Sequence, residues 1–331
     1  MVGVNSDLCK SVGLIIKELR IKDTFRQRPF LTAGHNDETR LSMLFNAVAI
    51  CHQTRNLYSP GHQLYGWDYI EFVFSELANN KSPLLIPEFV SELSLQELQE
   101  LLLSAFSDNG NPAESTLDTI EERAGLYSNL SKHILKFHFG SCRNLLTQSK
   151  NLLFNSGAGF YELLQNTEAF GDPMRKKSSF LAKLLFDANL YSVEDEANYV
   201  PIVDYHMQRV LLRLGCIEVN DPELDFKLKN KKLLDSDQPV REASIDAFRI
   251  ISEVSGHKLW VMNDFFWPMG RSCCNETTLC ESKVCIKNPC TFHLMIESGM
   301  HNRCIFDKVC CGFLSGTPAA YFEPMVKTHY Y

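Results

Sequence analysis

Cysteine is spread unevenly along this chain: eight of its 12 cysteines fall between Cys273 and Cys311. After Pro268 the apolar periodicity gives way to Cys, Asn, Thr and Lys, so residues 269–331 read as a loop-rich module ordered by something other than buried hydrocarbon. Inside it, "CCNETTLCESKVCIKNPC" places six residues between Cys273 and Cys280, then four before Cys285 and four before Cys290; Cys274 is an alternative first member. Four thiolates so spaced can converge on tetrahedral zinc or on a four-iron cluster. The paired CxxC knuckles that mark zinc most strongly are absent, which favours a 4Fe-4S cluster on Cys273, Cys280, Cys285 and Cys290, with zinc as the alternative. Cys304, Cys310, Cys311, His293 and His301 are spare ligands. A disulfide set would suit an oxidising compartment. The apolar run Val12 to Ile16 is too short for a secretory core.

The other 268 residues have a different grammar. Apolar positions recur at three and four: Leu8, Val12, Ile15, Ile16 and Leu19; Leu41, Leu44, Ala47 and Val48 within Asp37 to Thr54; Ala243, Ala247, Phe248 and Ile251 within Val240 to Val254, with Gly256 as a stop. Ser94 and Glu97 stand in capping-box spacing ahead of Leu98, Leu101 and Leu102. Strand-like alternation is scarce. With 331 residues at 45% hydrophobic content, a mostly α-helical fold is expected, divided into a helical region at 1–268 and the Cys-rich loop and tail at 269–331. Loops are expected at 107–115, 155–160 and 220–239.

No apolar run approaches the roughly 20 residues of a membrane helix. The expectation is therefore a soluble intracellular protein, cytoplasmic or nuclear, monomeric and without a membrane partner. A net charge of -7 argues against a long nonspecific DNA track, since phosphate affinity comes mostly from Lys and Arg. A local basic cleft would draw on scattered cations such as Lys132, Lys136, Arg143 and Lys150, and the clearest cluster is Arg175, Lys176 and Lys177.

Two segments carry candidate chemistry. In "VPIVDYHMQRVLLRLG", Val203, Met207, Val210, Leu211 and Leu214 share a helical face, and Asp204 stands where that helix begins. It is either an N-cap or a catalytic carboxylate; His206 and Arg209 are equally open. In "GDPMRKKSSFLAKLL", Gly171 to Pro173 form a turn, and Lys176 and Lys177 fall in the first turn of the next helix. The helix dipole and a neighbouring positive charge both favour the neutral amine, the form that acts as a nucleophile. A solvated lysine pair is the alternative.

Together, a run of helices, then "VPIVDYHMQRVLLRLG", then "NDFFWPMGRSCC" leading into spaced cysteines resembles the helix-hairpin-helix DNA glycosylase superfamily. The last part is similar to the iron-sulfur loop of endonuclease III-type enzymes, and "GDPMRKKSSFLAKLL" is similar to archaeal 8-oxoguanine glycosylases, where a GDP turn precedes the reactive lysine and a VDY segment bears the aspartate. The resemblance spans about 40 to 290; the later cysteine gaps differ from that family's, and no L-P-G-x-G hairpin precedes Lys176. It implies a two-lobed glycosylase-like fold with a cleft, Lys176 as nucleophile (Lys177 as the alternative) and Asp204 as the carboxylate. "AICHQT" followed by "GWDYIEF" resembles the base-pocket helix, which implies Gln53 and Trp67 as substrate-binding residues.

The implied activity is that of an N-glycosylase removing a modified or damaged base from nucleic acid, with double-stranded DNA the expected partner. The carboxylate stabilises oxocarbenium charge, and a lysine Schiff base permits β-elimination, the AP lyase step. The base is flipped into a pocket to be reached. Queuosine-nucleotide salvage glycosidases also resemble this helical superfamily, so a glycosidase acting on a free modified nucleotide is the alternative. A noncatalytic, metal-bearing nucleic-acid binding module is another.

Overall fold

The three- and four-residue apolar repeats become helices, and the chain is mostly α-helical. The structure is a computed structural model that describes residues 1–285, 287, 290–297 and 302–331. Among these, the strands are short and form two antiparallel pairs, Val2–Val4 with Ile217–Val219 and Tyr58–Ser59 with Leu64–Tyr65. No described helix is long and apolar enough to cross a membrane.

Two compact units form. One comprises Met1–Phe25 and Val200–Lys327, the other Arg26–Tyr199 and Thr328–Tyr331. In the first, the Ser6–Lys17 helix packs on the Gln238–Ser255 helix, burying Cys9, Val12 and Ile16 against the face that carries Ala247, Phe248 and Ile251. Gly256 ends the second of these helices in the left-handed conformation (φ +75°), as its position promised. The Tyr205–Leu214 helix packs against Leu259–Arg271 and the middle of this layer.

In the second unit the Asp37–Ala49 helix is central, with every residue from Leu41 to Ala49 buried. It is capped by Asn36, whose side chain accepts from the Thr39 N–H at 3.0 Å. Around it pack Trp67–Asn79, Ile120–His138, Cys142–Gln148 and Lys176–Asp187. This helix stops at Ala49, short of the expected Thr54, because the chain turns at Cys51 and His52 and Gln53 adopts a left-handed conformation (φ 42°).

Four further expectations need adjustment. The helical pattern continues through Pro268 to Arg271, and residues 269–327 belong to the same unit as 1–25 and 200–268. The Cys-rich segment also has an apolar core: Phe292, Met295 and Phe306 are buried, with Phe292 and Phe306 ring centroids 5.1 and 6.1 Å from that of Phe265. The expected loop at 220–239 contains the Pro222–Lys229 helix, started by Asp221, whose carboxylate accepts from the Glu223 and Leu224 N–H groups, and by proline in the first turn. The Ser94 and Glu97 capping box forms, burying Leu98 and Leu102, but Leu101 faces solvent.

Gly13 sits where the Ser6–Lys17 and Gln238–Ser255 helices come closest: a Cβ there would lie 2.9 Å from Val254 Cβ and 3.1 Å from the Ile251 carbonyl oxygen. Alanine would add roughly 1 kcal/mol of helix propensity. It would also force apart two backbones at a cost of roughly 1–3 kcal/mol. The clash involves atoms that cannot swing away, so Gly13→Ala is expected to lower the denaturant midpoint, and Val254→Ala in the same chain to recover part of the loss. An unchanged or raised midpoint in Gly13→Ala would contradict this packing.

Candidate functional site

The Gly171 to Pro173 turn is built to launch a helix. Asp172 is fully buried, and its carboxylate accepts from the N–H groups of Met174 (3.1 Å) and Lys176 (2.9 Å). Arg175 then takes a left-handed conformation (φ 58°), and the Lys176–Asp187 helix begins with both lysines in its first turn, as expected. Their surroundings differ. Lys177 is fully buried and donates to the Ala49 carbonyl at 2.6 Å. Burial drives its ammonium pKa down to about 7; the charges of Lys176 and Arg123 push the same way, while Cys51 and Glu122 oppose them. Lys176 retains 8% exposure, with Nζ 4.0 Å from Cys51 Sγ and 5.4 Å from the centre of the Phe180 ring.

The two expected substrate-binding residues lie in this same unit. Phe180 packs edge-on against Trp67, their centroids 4.7 Å apart. Trp67 is buried: its ring meets Phe30, and its indole N–H donates to Glu71 Oε1 at 2.6 Å. Glu71 also accepts from Arg28 at 2.6 Å, and burial raises its pKa in spite of that partner. Trp67 is thus a core residue with its polar edge engaged. Gln53 is half-buried two residues beyond Cys51, and its N–H donates to the Tyr331 carbonyl at 3.1 Å.

Sequence reasoning missed the rest of this cluster. His52 is buried with neither ring nitrogen in a hydrogen bond. Its Nε2 lies 3.1 Å from a Glu122 carboxylate oxygen without hydrogen-bond alignment, and the His329 ring stands edge-on 6.4 Å away. Burial, followed by the charges of Lys177 and Arg123, holds His52 far below the ordinary imidazole range and therefore neutral. Arg123 is wholly buried, donating to the carbonyl of Ile50 and to the carbonyl and carboxylate of Asp118. In the sequence it sits in "EERAG", which looks like a solvated helix face. Of the scattered cations, Arg143 is neutralised by Asp37 at 2.7 Å.

Asp204 belongs to the other unit. It caps the Tyr205–Leu214 helix, accepting from the Met207 N–H at 3.0 Å, and is 7% exposed. His206 and Arg209 belong to a fastening: Arg209 reaches His206 Nδ1, the Gly270 and Cys274 carbonyls and the Glu323 carboxylate, and Arg213 donates to the carbonyls of Cys274 (3.0 Å), Asn275 (2.6 Å) and Tyr321 (2.7 Å).

Three of the four expected thiol ligands meet. The sulfurs of Cys273, Cys285 and Cys290 lie within 4.8 Å of one another and can hold a metal ion. Cys280 does not join them. Its thiol is paired with Cys304, an interaction that draws the Cys280 pKa down to about 7 against the effect of burial and raises that of Cys304. Cys273 is raised by Cys290 and by burial, Cys285 chiefly by burial. His293 is outside the triad, and His301 lies outside the described residues.

Compared with known proteins, the chain matches no described family and no curated protein.

Lys177 gives the second unit a definite pH dependence. In the unfolded chain its amine holds a proton up to 10.5, and in the fold only to about 7. Between those values the unfolded state binds more protons, so folding stability rises with pH across this window, by up to roughly 1 kcal/mol per unit, and the penalty is complete below pH 7. Denaturant midpoints of wild type minus Lys177→Met should climb from pH 7 to pH 9. A flat difference would mean that the amine stays charged.

Proposed function

We propose that the protein cleaves an N-glycosidic bond and that its substrate is a free modified nucleotide. The observation that carries this reading is the enclosed basic cluster of the second unit, where Lys176, Lys177 and Arg123 gather about residues 49–51, beside a neutral His52, inside a chain of net charge -7. Buried cations suit a small anion; a duplex needs them on the surface. Trp67, its indole N–H committed to Glu71, supports a packing role more than stacking on a flipped base.

In this reading the Lys176 amine attacks the anomeric carbon, the C–N bond to the base breaks, and the base leaves as it takes up a proton. The sugar ring then opens, its anomeric C–O bond breaking and the ring oxygen taking up the amine's proton as the C=N bond forms, and the resulting Schiff base on the lysine is hydrolysed by water. Asp204 caps a helix of the other unit and takes no part in this step. Lys177 lies behind Lys176 and keeps the local potential positive while its own proton is loosely held.

Base release from a panel of modified mononucleotides and from lesion-bearing duplexes, followed by mass spectrometry, tests the proposal. Lys176→Gln should slow release from mononucleotide by roughly a hundredfold or more. Borohydride should trap an adduct on wild type that Lys176→Gln lacks. Release only from duplex DNA, with affinity falling steeply with salt, would restore a nucleic-acid glycosylase. Full activity in Lys176→Gln would remove the proposed chemistry.

We also infer that the thiol triad holds one zinc ion in a structural role. Zinc at about 2.3 Å from each thiolate sets the sulfurs about 3.8 Å apart, compatible with the convergence of three here. A four-iron cluster needs a fourth thiolate and more space between them, and Cys280 stands with Cys304 instead. Elemental analysis should find one zinc per chain, reduced at least roughly tenfold by Cys273→Ser, Cys285→Ser or Cys290→Ser and unchanged by Cys280→Ser. Four irons per chain, with visible absorbance, would overturn the assignment.

A further inference from the structure

Cys280 and Cys304 lie outside the thiol triad and outside the proposed reaction. Both thiols line a cavity of about 630 Å3 in the first unit, within the range of roughly 300–1,000 Å3 typical of small-molecule sites. They are in hydrogen-bonding contact with each other. Among the described residues, no third Cys, His, Asp or Glu gathers closely enough with this pair to complete a metal-ligating group. Two adjacent sulfurs are sufficient for a disulfide and too few for a metal site.

The remaining charged groups of the cavity fix what could reach them. Lys283, Arg303 and Lys308 supply three cations, and Asp307 a carboxylate. Arg303 is paired with Asp307, and among the described residues neither Lys283 nor Lys308 forms an ion pair. Two ammonium groups without an ion-pair partner among the described residues thus flank the thiols.

We propose that Cys280 and Cys304 form a redox-active dithiol that exchanges with small anionic disulfides of the glutathione type. The Cys280 thiolate attacks one sulfur of the incoming disulfide, whose S–S bond breaks and releases one thiolate; that thiolate takes up the proton Cys280 gave to solvent. Cys304 then loses its proton and attacks Cys280 Sγ, and the second small thiolate leaves and is protonated. Two protein thiols are oxidised by two electrons to a disulfide, and one small disulfide is reduced to two thiols. The carboxylates of the incoming molecule are met by Lys283 and Lys308.

The test uses the 331-residue, metal-loaded chain in glutathione buffers of increasing oxidation, quenched by alkylation and mapped by peptide mass spectrometry. Wild type should yield a Cys280–Cys304 disulfide, and Cys304→Ser should accumulate one glutathione on Cys280. The Lys283→Glu, Lys308→Glu double variant should react roughly tenfold more slowly with glutathione disulfide, yet at the wild-type rate with uncharged hydroxyethyl disulfide. The proposal is overturned if both thiols of folded wild type remain unmodified, if the disulfide joins other cysteines, if the double variant slows equally with both reagents, or if Cys280→Ser and Cys304→Ser each lower the metal bound per chain.

Discussion

Two arginines hold the first unit together. Arg209 and Arg213 are almost completely buried on the Tyr205–Leu214 helix and spend their donors on main-chain carbonyls at Gly270, Cys274, Asn275 and Tyr321 and on the Glu323 carboxylate. A guanidinium is a rigid planar fork with five N–H groups, so it can bind several carbonyls of a loop that has no regular ladder of its own. Removing one partner of such a buried charge costs roughly 3–5 kcal/mol, because the other is left uncompensated. The position of Cys273, and with it the thiol triad, rests on this fastening. The polar segment after Arg271 is therefore ordered by charge-assisted hydrogen bonds and by the burial of Phe292 and Phe306.

The second unit uses buried charge in the opposite way. Its cations lie close to Cys51 and His52, and the buried carbonyls of Ala49 and Ile50, left without intrahelical partners where the Asp37–Ala49 helix ends, accept from Lys177 and Arg123. A helix C-terminus leaves carbonyls without intrahelical partners and carries partial negative charge, so cations are favoured there. The same position takes Lys177 out of water, and desolvation outweighs that attraction enough to loosen its proton. A helix end that satisfies its carbonyls with lysine and arginine thereby also creates an enclosed positive potential. That coupling of helix termination to electrostatics is the physical basis for reading the cluster as an anion site.

Local features of this fold were legible in the sequence wherever one residue type has one strong use. Asp204 caps a helix, Ser94 and Glu97 close a capping box, Gly256 stops a helix, and the lysine pair follows its turn. Periodicity also gave the mostly helical class. What escaped depended on partners distant in sequence. Arg209 and Arg213 occupy what a helical wheel marks as the polar face, yet the partners that bury them lie 61 to 114 residues away, so the helix is buried on nearly every side. Arg123 and His52 were invisible for the same reason, and Trp67 looked available because no sequence pattern shows that Glu71 and Phe30 close around it.

The cysteines show how far spacing can carry an inference and where it ends. Spacing placed Cys273, Cys285 and Cys290 correctly together, but it cannot separate adjacent residues whose side chains point apart. Cys274 follows Cys273 directly, yet its carbonyl is held by Arg209 and Arg213, and its sulfur lies 3.7 Å from the Arg213 guanidinium. Cys273 packs instead beside Ser272, toward Cys290. The arginine anchor therefore splits the vicinal pair, sending one sulfur to the triad and keeping the other beside a positive charge. With Cys280 turned to Cys304, three sulfurs of this segment gather in a group suited to an ion and two in a pair, and the guanidinium grip on the backbone decides which member of the vicinal pair joins the three.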